Sequence, residues 1–193
     1  MSYAIIKTPA LVLRIIPQGE ASLDVVLFTR SLGKIQVRAQ SARKHTSKMN
    51  MFLTRFREVM VDVVLGSHTW RLTGITGESL SPGIFRSDRL LHAWYRTLRL
   101  VEFLVVGESA HPELYDFFSD MIHWCENFTQ TSSLDEGLEY YLVLQTLAFL
   151  GYASDEDFVP GDHAANIAWC LEHRSEVVKN INEGISATQI MLQ

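Results

Sequence analysis

Apolar residues form short segments along the first 80 residues of the chain and follow a helical period after them. Five short segments rich in β-branched and aromatic residues are separated by turn residues, at 5–16, 23–30, 34–40, 56–65 and 69–76. The connections between them are tight except for a polar and basic link at 41–55, between the third segment and the fourth. Five strands within 80 residues predict a small closed or partly open barrel.

The second part of the chain is predicted to be helical. A first apolar stripe lies beneath a cap at Ser87 and consists of Leu90, Leu91, Trp94, Leu98, Val101 and Val105. Pro112 is placed to open a second helix, and Ser133 with Glu136 forms a capping box for a third that stops at Gly151. Weaker patterns predict helices at 164–173 and 175–181, and Ser186 is placed to cap a separate last one.

These elements predict an α+β protein with two domains. We expect residues 1–80 to form a five-stranded oligonucleotide-binding (OB) barrel. That fold has a longer insertion between its third and fourth strands, and the long link at 41–55 lies at this place. Residues 81–193 form a helical domain.

Positive charge is concentrated in the first half of the chain. Residues 1–80 carry 11 Lys+Arg against 5 Asp+Glu, residues 81–193 carry 6 against 17, and the net charge of the chain is -5. No Asp or Glu occurs from Val25 to Arg57. Clustered cations are suited to a polyanion, because neutralising phosphates releases counterions. We therefore predict nucleic-acid contacts at Arg30, Lys34, Arg38, Arg43, Lys44, Lys48, Arg55, Arg57 and Arg71.

Alternation in the third strand separates the cations from the core. It places Lys34, Gln36, Arg38 and Gln40 on one face and Ile35, Val37 and Ala39 on the other. The alternative is a solvated edge strand whose charges prevent aggregation. Aromatic residues offer stacking for a single strand: we expect Phe28 and Phe56 to fill the barrel, Phe52 is a further candidate, and Trp70 either stacks or packs.

A second group of cations lies inside the acidic half. At 100° per residue one face of the first predicted helix carries Arg86, Arg89, His92, Arg96 and Arg99. Our hypothesis is that this face contacts DNA or an acidic partner segment. The alternative is an exposed face that pairs with acids such as Asp88 and Glu102.

Other classes of function find little support in the sequence. No apolar run reaches the length of a membrane helix, and Lys7, Pro9 and Arg14 interrupt the apolar N-terminus, so we expect neither a membrane span nor a signal peptide. Glycine-rich phosphate loops and hydrolase motifs are absent, so we expect no enzyme, no catalytic residue and no cofactor. Two pairs have spacings that a metal could use, His123 with Cys125 and Cys170 with His173, but we expect core or surface residues and no metal site.

Three stretches resemble one protein family. They are Gly19-Glu20-Ala21-Ser22-Leu23-Asp24, then Leu27-Phe28-Thr29-Arg30-Ser31-Leu32-Gly33-Lys34, then Ala42-Arg43-Lys44 followed by Ser47. Together they look like the opening barrel of the RecO recombination mediators, and Leu150-Gly151-Tyr152 is similar to the helical domain of that family. The likeness is good over the first 80 residues and thin after them.

The resemblance implies an OB domain, a helical domain and a role without catalysis. It implies binding of single- and double-stranded DNA, annealing of complementary strands, and help for RecR in loading RecA onto strands coated by single-stranded DNA-binding protein. The C-terminal tail of that coating protein is the acidic segment expected at the arginine face. The resemblance also implies a cytoplasmic, nucleoid-associated protein.

Two features depart from the family pattern. Many relatives carry a four-cysteine zinc module after the Leu-Gly-Tyr, whereas residues 153–158 here contain no cysteine. The family usually has Lys-Gly before the Ala-Arg pair, and this chain has Gln40-Ser41. The sequence therefore predicts a DNA-binding recombination mediator without the zinc module, the alternatives being a protein-binding adaptor with an OB barrel or an OB-type RNA binder.

Overall fold

The computed structural model describes residues 4–42, 49, 51–67, 69–77, 87–127 and 133–191. The strands are β1 (Ile5–Gln18), β2 (Ser22–Thr29), β3 (Gly33–Ala39), β4 (Glu58–Leu65) and β5 (Trp70–Thr76). The helices are α1 (Asp88–Leu104), α2 (Pro112–Asn127), α3 (Ser133–Phe149), α4 (His163–Glu172) and α5 (Arg174–Met191). None of the helices among these residues is long and apolar enough to cross a membrane.

The five strands form a closed barrel in the order β1-β2-β3-β5-β4. All neighbouring pairs are antiparallel except β3 and β5, which are parallel. β1 closes the barrel because its first half pairs with β4 and its second half with β2. The register shift between Val12 and Arg14 is a bulge that bends this long strand, as barrel closure requires. The predicted OB fold is confirmed.

The interior of the barrel is filled by apolar residues of its strands, including the residues of β3 that alternation predicted. Val12, Val25, Val37 and Val61 are fully buried there, one from each of four strands. Burying such side chains stabilises a domain by about 1.5–3 kcal/mol each. Since alternate residues of each strand supply the interior, the other face of β3 is left for polar side chains.

The chain divides into two compact units whose boundary differs from the predicted break at residue 80. The first unit joins Met1–Leu80 with Val105–Ser119, and the second joins Ser81–Leu104 with Asp120–Gln193. The segment 105–119, which the sequence assigned to the helical part, therefore belongs to the barrel unit.

Backbone contacts hold this segment against the start of β3. The N–H of Lys34 donates to the carbonyl of Gly107 at 3.2 Å. Gly33 has a φ of +68°, and a Cβ there would lie 2.0 Å from the carbonyl oxygen of Ser109. Only glycine satisfies both the left-handed backbone and this close approach.

Side chains of the same segment cover the outside of β2 and β4. The ring of Tyr115 packs against Phe28 with centroids 5.9 Å apart. The Tyr115 hydroxyl donates to Glu58 at 2.7 Å, and Ser119 donates to the same carboxylate oxygen at 2.9 Å. Burial, with the Glu58 charge second, raises the pKa of Tyr115 above its ordinary value, so the phenol stays a donor.

In the helical unit α3 packs against α1, α4 and α5. The predicted starts of the first three helices and the predicted stop of the third are confirmed. The Ser87 hydroxyl accepts from the N–H groups of Arg89 and Leu90 at 3.2 and 3.3 Å, which caps α1. α2 begins at Pro112, and the chain reverses after α3 at Gly151, where φ is +79°.

The two last helices differ from the prediction in one respect. α4 is capped by Asp162, whose carboxylate accepts from the N–H of Ala165 at 3.0 Å. α5 runs without a break to Met191, so the separate last helix predicted at Ser186 is wrong. Gly184 lies inside this helix, and a Cβ there would lie 2.9 Å from the carbonyl oxygen of Tyr152, so the glycine permits close packing within one helix.

A polar and aromatic cluster fixes the loop between α3 and α4. The Asn166 amide accepts from the N–H of Val159 at 2.8 Å and donates to its carbonyl at 2.9 Å. The Tyr141 hydroxyl lies 3.1 Å from His163 Nδ1, and Phe158 meets Tyr141 edge-on with ring centroids 5.2 Å apart. These hydrogen bonds and ring contacts hold the loop against α3 and α4.

Candidate nucleic-acid interface

The outer face of β3 carries the polar side chains that the sequence placed there. Gln36 and Arg38 are exposed and Lys34 is partly exposed, whereas Ile35 and Val37 are buried in the barrel. The predicted alternation is confirmed. A row of polar and cationic groups therefore lies directly over the core.

Strand β5 adds a second arginine beside the first. Arg38 and Arg71 are register partners on the parallel pair β3–β5, one residue after the pair Val37 and Trp70. Both arginines are exposed, while their predecessors are buried. Like charges placed directly opposite each other on neighbouring strands destabilise a sheet, so the arrangement favours an anion in front of it. We call Lys34, Gln36, Arg38 and Arg71 the β3–β5 face.

Asp24 anchors Arg38 from the neighbouring strand. It is the register partner of Arg38, accepts from Nε at 2.9 Å and from Nη2 at 3.1 Å, and is 4% exposed. These hydrogen bonds lower the pKa of Asp24, against the opposing effect of burial. Because nearly half of the Arg38 side chain remains exposed, the pair orients the guanidinium without covering it.

Arg30 forms a second bidentate pair. Its guanidinium donates to both carboxylate oxygens of Asp116 at 2.7 and 2.9 Å, and both side chains are about half exposed. Hydrogen bonding raises the pKa of Arg30 and lowers that of Asp116. Part of the positive charge seen in the sequence is therefore balanced by an acid 86 positions away.

A groove of about 400 Å³ runs along the β3 residues of the β3–β5 face. Besides residues of β3 it is lined by Asp24, Thr69, Trp70, Gly107 and Glu108. Trp70 is 6% exposed and donates from Nε1 to Glu108 at 2.8 Å, so it packs into the barrel and offers no ring to a base. The lining of the groove thus includes two acids, Asp24 and Glu108, and two cations, Lys34 and Arg38.

The other aromatic candidates of the barrel are also covered at least in part. Phe28 is buried as expected, but outside the barrel against Tyr115, because it alternates with the inward-facing Leu27. Phe56 is partly buried and has a φ of 65°. Phe52 lies beneath the guanidinium of Arg57, 5.0 Å from the ring centroid.

The remaining predicted cations are divided among three situations. Arg57 is 8% exposed and donates to the carbonyl of Met51, so its side chain has a place in the barrel wall. Arg55 is partly buried. Arg43, Lys44 and Lys48 lie outside the described residues.

Two arginines of α1 are ion-paired within the helical unit. Arg89 and Arg96 each lie 2.9 Å from a carboxylate of α3, Glu136 and Glu139 respectively. The alternative of an ion-paired face is thus realised, although with acids of α3 and not with Asp88 or Glu102. Arg99 is exposed on the same face, and Arg86 lies outside the described residues.

The two cysteines and the acidic run 155–157 are the remaining candidate groups among the described residues. Cys125 and Cys170 are both buried, and burial raises the pKa of the Cys170 thiol to about 12. Within the described ranges, no three His, Cys, Asp or Glu side chains are grouped to hold a metal ion. The acidic run 155–157 is an exposed loop.

Sequence reasoning missed the acids that face these cations. Asp24 could have been found, because Thr29 pairs with Gly33 across a tight turn and counting back along both strands places Asp24 opposite Arg38. The acids of α2 and α3 gave no such signal, since their distance to the arginines depends on tertiary packing.

Comparison with known proteins agrees with this architecture. The family model described as "Recombination protein O N terminal" matches residues 1–77. The DNA repair protein RecO of Polynucleobacter necessarius subsp. necessarius is 30% identical over 168 residues, which are 86% of this chain and 68% of that protein. The protein of the same name from Polynucleobacter asymbioticus is 31% identical over 157 residues, 81% of this chain and 63% of that protein.

A third relative gives a similar match. The DNA repair protein RecO of Exiguobacterium sibiricum is 29% identical over 178 residues, 86% of this chain and 66% of that protein. The chain thus spans about two thirds of the length of these relatives. With a matching barrel model and a relative at 30% identity over most of the chain, the chain belongs to the RecO family of DNA repair proteins.

Proposed function

We propose that this protein binds single- and double-stranded DNA through the β3–β5 face of its barrel and acts as a recombination mediator without catalysis. The observation that carries the proposal is the juxtaposition of Arg38 and Arg71, exposed on paired strands over a buried apolar floor. A phosphate between the two guanidinium groups relieves their repulsion and accepts hydrogen bonds from both.

The proposed binding is mainly to the backbone of the nucleic acid. The aromatic side chains of the barrel that the sequence offered for stacking are buried or partly buried, which leaves the cations as the contact groups. Phosphate contacts carry no base sequence, so the face accepts single strands and duplexes alike. This breadth suits a protein that anneals complementary strands.

The partners follow from membership of the family and are part of the same proposal. We expect the protein to act with RecR in loading RecA, in the cytoplasm and at the nucleoid. The acidic C-terminal tail of single-stranded DNA-binding protein is the partner expected at the arginines of α1. Such a tail competes there with Glu136 and Glu139 for Arg89 and Arg96.

The proposal is tested by fluorescence anisotropy with a labelled single-stranded oligonucleotide across a salt series. The variant Lys34→Gln/Arg38→Gln/Arg71→Gln removes three charges from the β3–β5 face. Each lost phosphate contact lowers the slope of log K against log salt by about 0.7 on a single strand. We expect the slope of the variant to fall by about 2 and its affinity at low salt by more than about tenfold.

The matched control removes three charges elsewhere, in Arg89→Gln/Arg96→Gln/Lys179→Gln. Its slope and affinity should stay close to those of the wild type, since these cations belong to the helical unit and lie outside the β3–β5 face. Equal losses in both variants would assign binding to net charge and overturn the proposed face. Wild-type protein that fails to bind at low salt would favour the protein-binding adaptor.

A further inference from the structure

Two exposed aromatic rings and an arginine lie along one side of helix α1. Tyr95 is 41% exposed and Phe103 is 59% exposed, although large aromatic side chains are usually covered in a folded protein. Arg99 lies between them, four residues from each, and is also exposed. Residues four apart lie on one side of a helix, so the three side chains form a single file, which we call the aromatic row.

The charge around the aromatic row suits an anion. Among the described residues no ion pair involves Arg99, whereas Arg89 and Arg96 on the same helix are paired with Glu136 and Glu139. The paired arginines are still 65% exposed at their side chains. The central arginine of the row is therefore the cation best placed to accept a new partner.

The pattern of the row fits separate bases. The two rings do not form one contiguous apolar patch, because the exposed residue between them is charged. The rings are about 12 Å apart along the helix axis, at 1.5 Å per residue. Single-stranded nucleic acid is held by isolated aromatic faces that stack on bases, with cations between them for the phosphates.

We propose that the aromatic row Tyr95–Arg99–Phe103 is a stacking platform for the bases of single-stranded DNA. The inference rests on the proposed function and adds to it a contact that distinguishes single strands from duplexes. Bases in a duplex are already stacked and paired, so their faces are not open to the rings of the row. Backbone contacts on the barrel lack this discrimination.

The test compares two labelled strands of equal length and charge, a 20-residue oligothymidylate and its abasic counterpart, at constant salt. Wild-type protein should bind the strand with bases more tightly than the abasic strand. Tyr95→Ala and Phe103→Ala should each weaken binding of the oligothymidylate by at least about fivefold, in line with the worth of one stacked base. Their affinity for the abasic strand and for a duplex should not change.

Two further variants separate stacking from other causes. Phe103→Leu keeps an apolar side chain but removes the ring, so it should behave like Phe103→Ala. Phe103→Trp keeps an aromatic ring and should bind the oligothymidylate as tightly as the wild type. Phe149→Ala removes another exposed aromatic side chain of the helical unit and should leave both affinities unchanged.

The outcomes also separate this inference from the proposed function. Wild-type binding of the abasic strand with a steep salt dependence supports the phosphate contacts whatever the row does. If the row variants bind the oligothymidylate like the wild type, or lose equal affinity for both strands, stacking is overturned and the row is left for a protein partner. Loss of folding is excluded by circular dichroism of each variant.

Discussion

The β3–β5 face and the arginines of α1 both appear in the sequence as clusters of positive charge, yet the structure gives them different surroundings. Each of Arg89 and Arg96 has its own acid on α3. On the barrel, Asp24 is the acid beside Arg38, while Arg71 stands next to that pair without an ion pair among the described residues. A cluster of cations in the sequence therefore does not give the net charge at the folded surface, because acids from other elements pair with some of them.

The acids also differ in what they do for the arginines. Glu136 is largely exposed, and surface pairs of this kind contribute little to stability. Asp24 is nearly buried and holds its arginine with two hydrogen bonds. A fixed guanidinium loses less conformational freedom when it binds a phosphate, which makes the barrel pair a positioning device.

The largest expected effect comes from substituting Gly33, which lies against the segment 105–119 at the start of β3. Gly33→Ala places a methyl group against the backbone of Ser109 at a left-handed φ, so we expect a loss of more than about 3 kcal/mol in the free energy of unfolding and loss of DNA binding. Urea unfolding and anisotropy measure the two effects.

Gly19→Ala is the matched control for this change. Gly19 has a φ of +59° but nothing within 4 Å of the added Cβ, so only the backbone cost of about 1–2 kcal/mol is expected. Similar losses for both variants would mean that the close approach to Ser109 does not support the β3–β5 face.

A smaller change would sharpen the comparison by altering the acid and not the cation. Asp24→Asn removes the negative charge that competes with phosphate for Arg38, and we expect about threefold to fivefold tighter binding of single-stranded DNA at low salt. The thermal midpoint should fall, because the guanidinium loses its charged acceptor.

Asp116→Asn makes the same change beside Arg30 and is the control for net charge. We expect a smaller gain in affinity from it, since Arg30 lies outside the β3–β5 face. Weaker DNA binding by Asp24→Asn at full folding would show that orientation of Arg38 by the carboxylate outweighs its competition with phosphate.

The smallest expected effect concerns the response of the two units to acid. Burial lowers the pKa of His163 in the helical unit below 6.5, with Asp120 and Asp162 opposing the shift. The neutral ring is therefore favoured in the folded state, and its contribution to stability is present above about pH 6.5 and lost as the pH falls through the folded-state pKa. The lowered pKa of Asp24 places the corresponding loss of the barrel below about pH 4.

The pH response is measured by urea unfolding at pH 7.5, 6 and 5. Wild-type protein should lose stability over this range, and His163→Gln should lose less, whatever its stability at pH 7.5. His173→Gln changes an exposed histidine of the same unit and should keep the wild-type slope. A slope unchanged in His163→Gln would assign the acid sensitivity to other groups.

The parts of the fold that the sequence predicted are those with a local cause. Alternation in β3, the cap at Ser87 and the start of α2 at Pro112 depend on residues close in the chain, and each was found. The continuous helix α5 was missed because it packs closely against the backbone of Tyr152 at Gly184, and this contact is made only in the folded protein. The same reason applies to the candidate site, where Arg30 meets Asp116 across 86 positions.

The two-part composition of the barrel unit has a consequence for how the protein is made. Residues 105–119 belong to this unit but follow α1 in the chain, so a fragment ending at residue 80 lacks the backbone that covers Gly33. During synthesis the barrel must wait for these residues to leave the ribosome before its outer layer is complete. The first helix of the helical unit is therefore synthesised before the outer layer of the barrel unit can be completed.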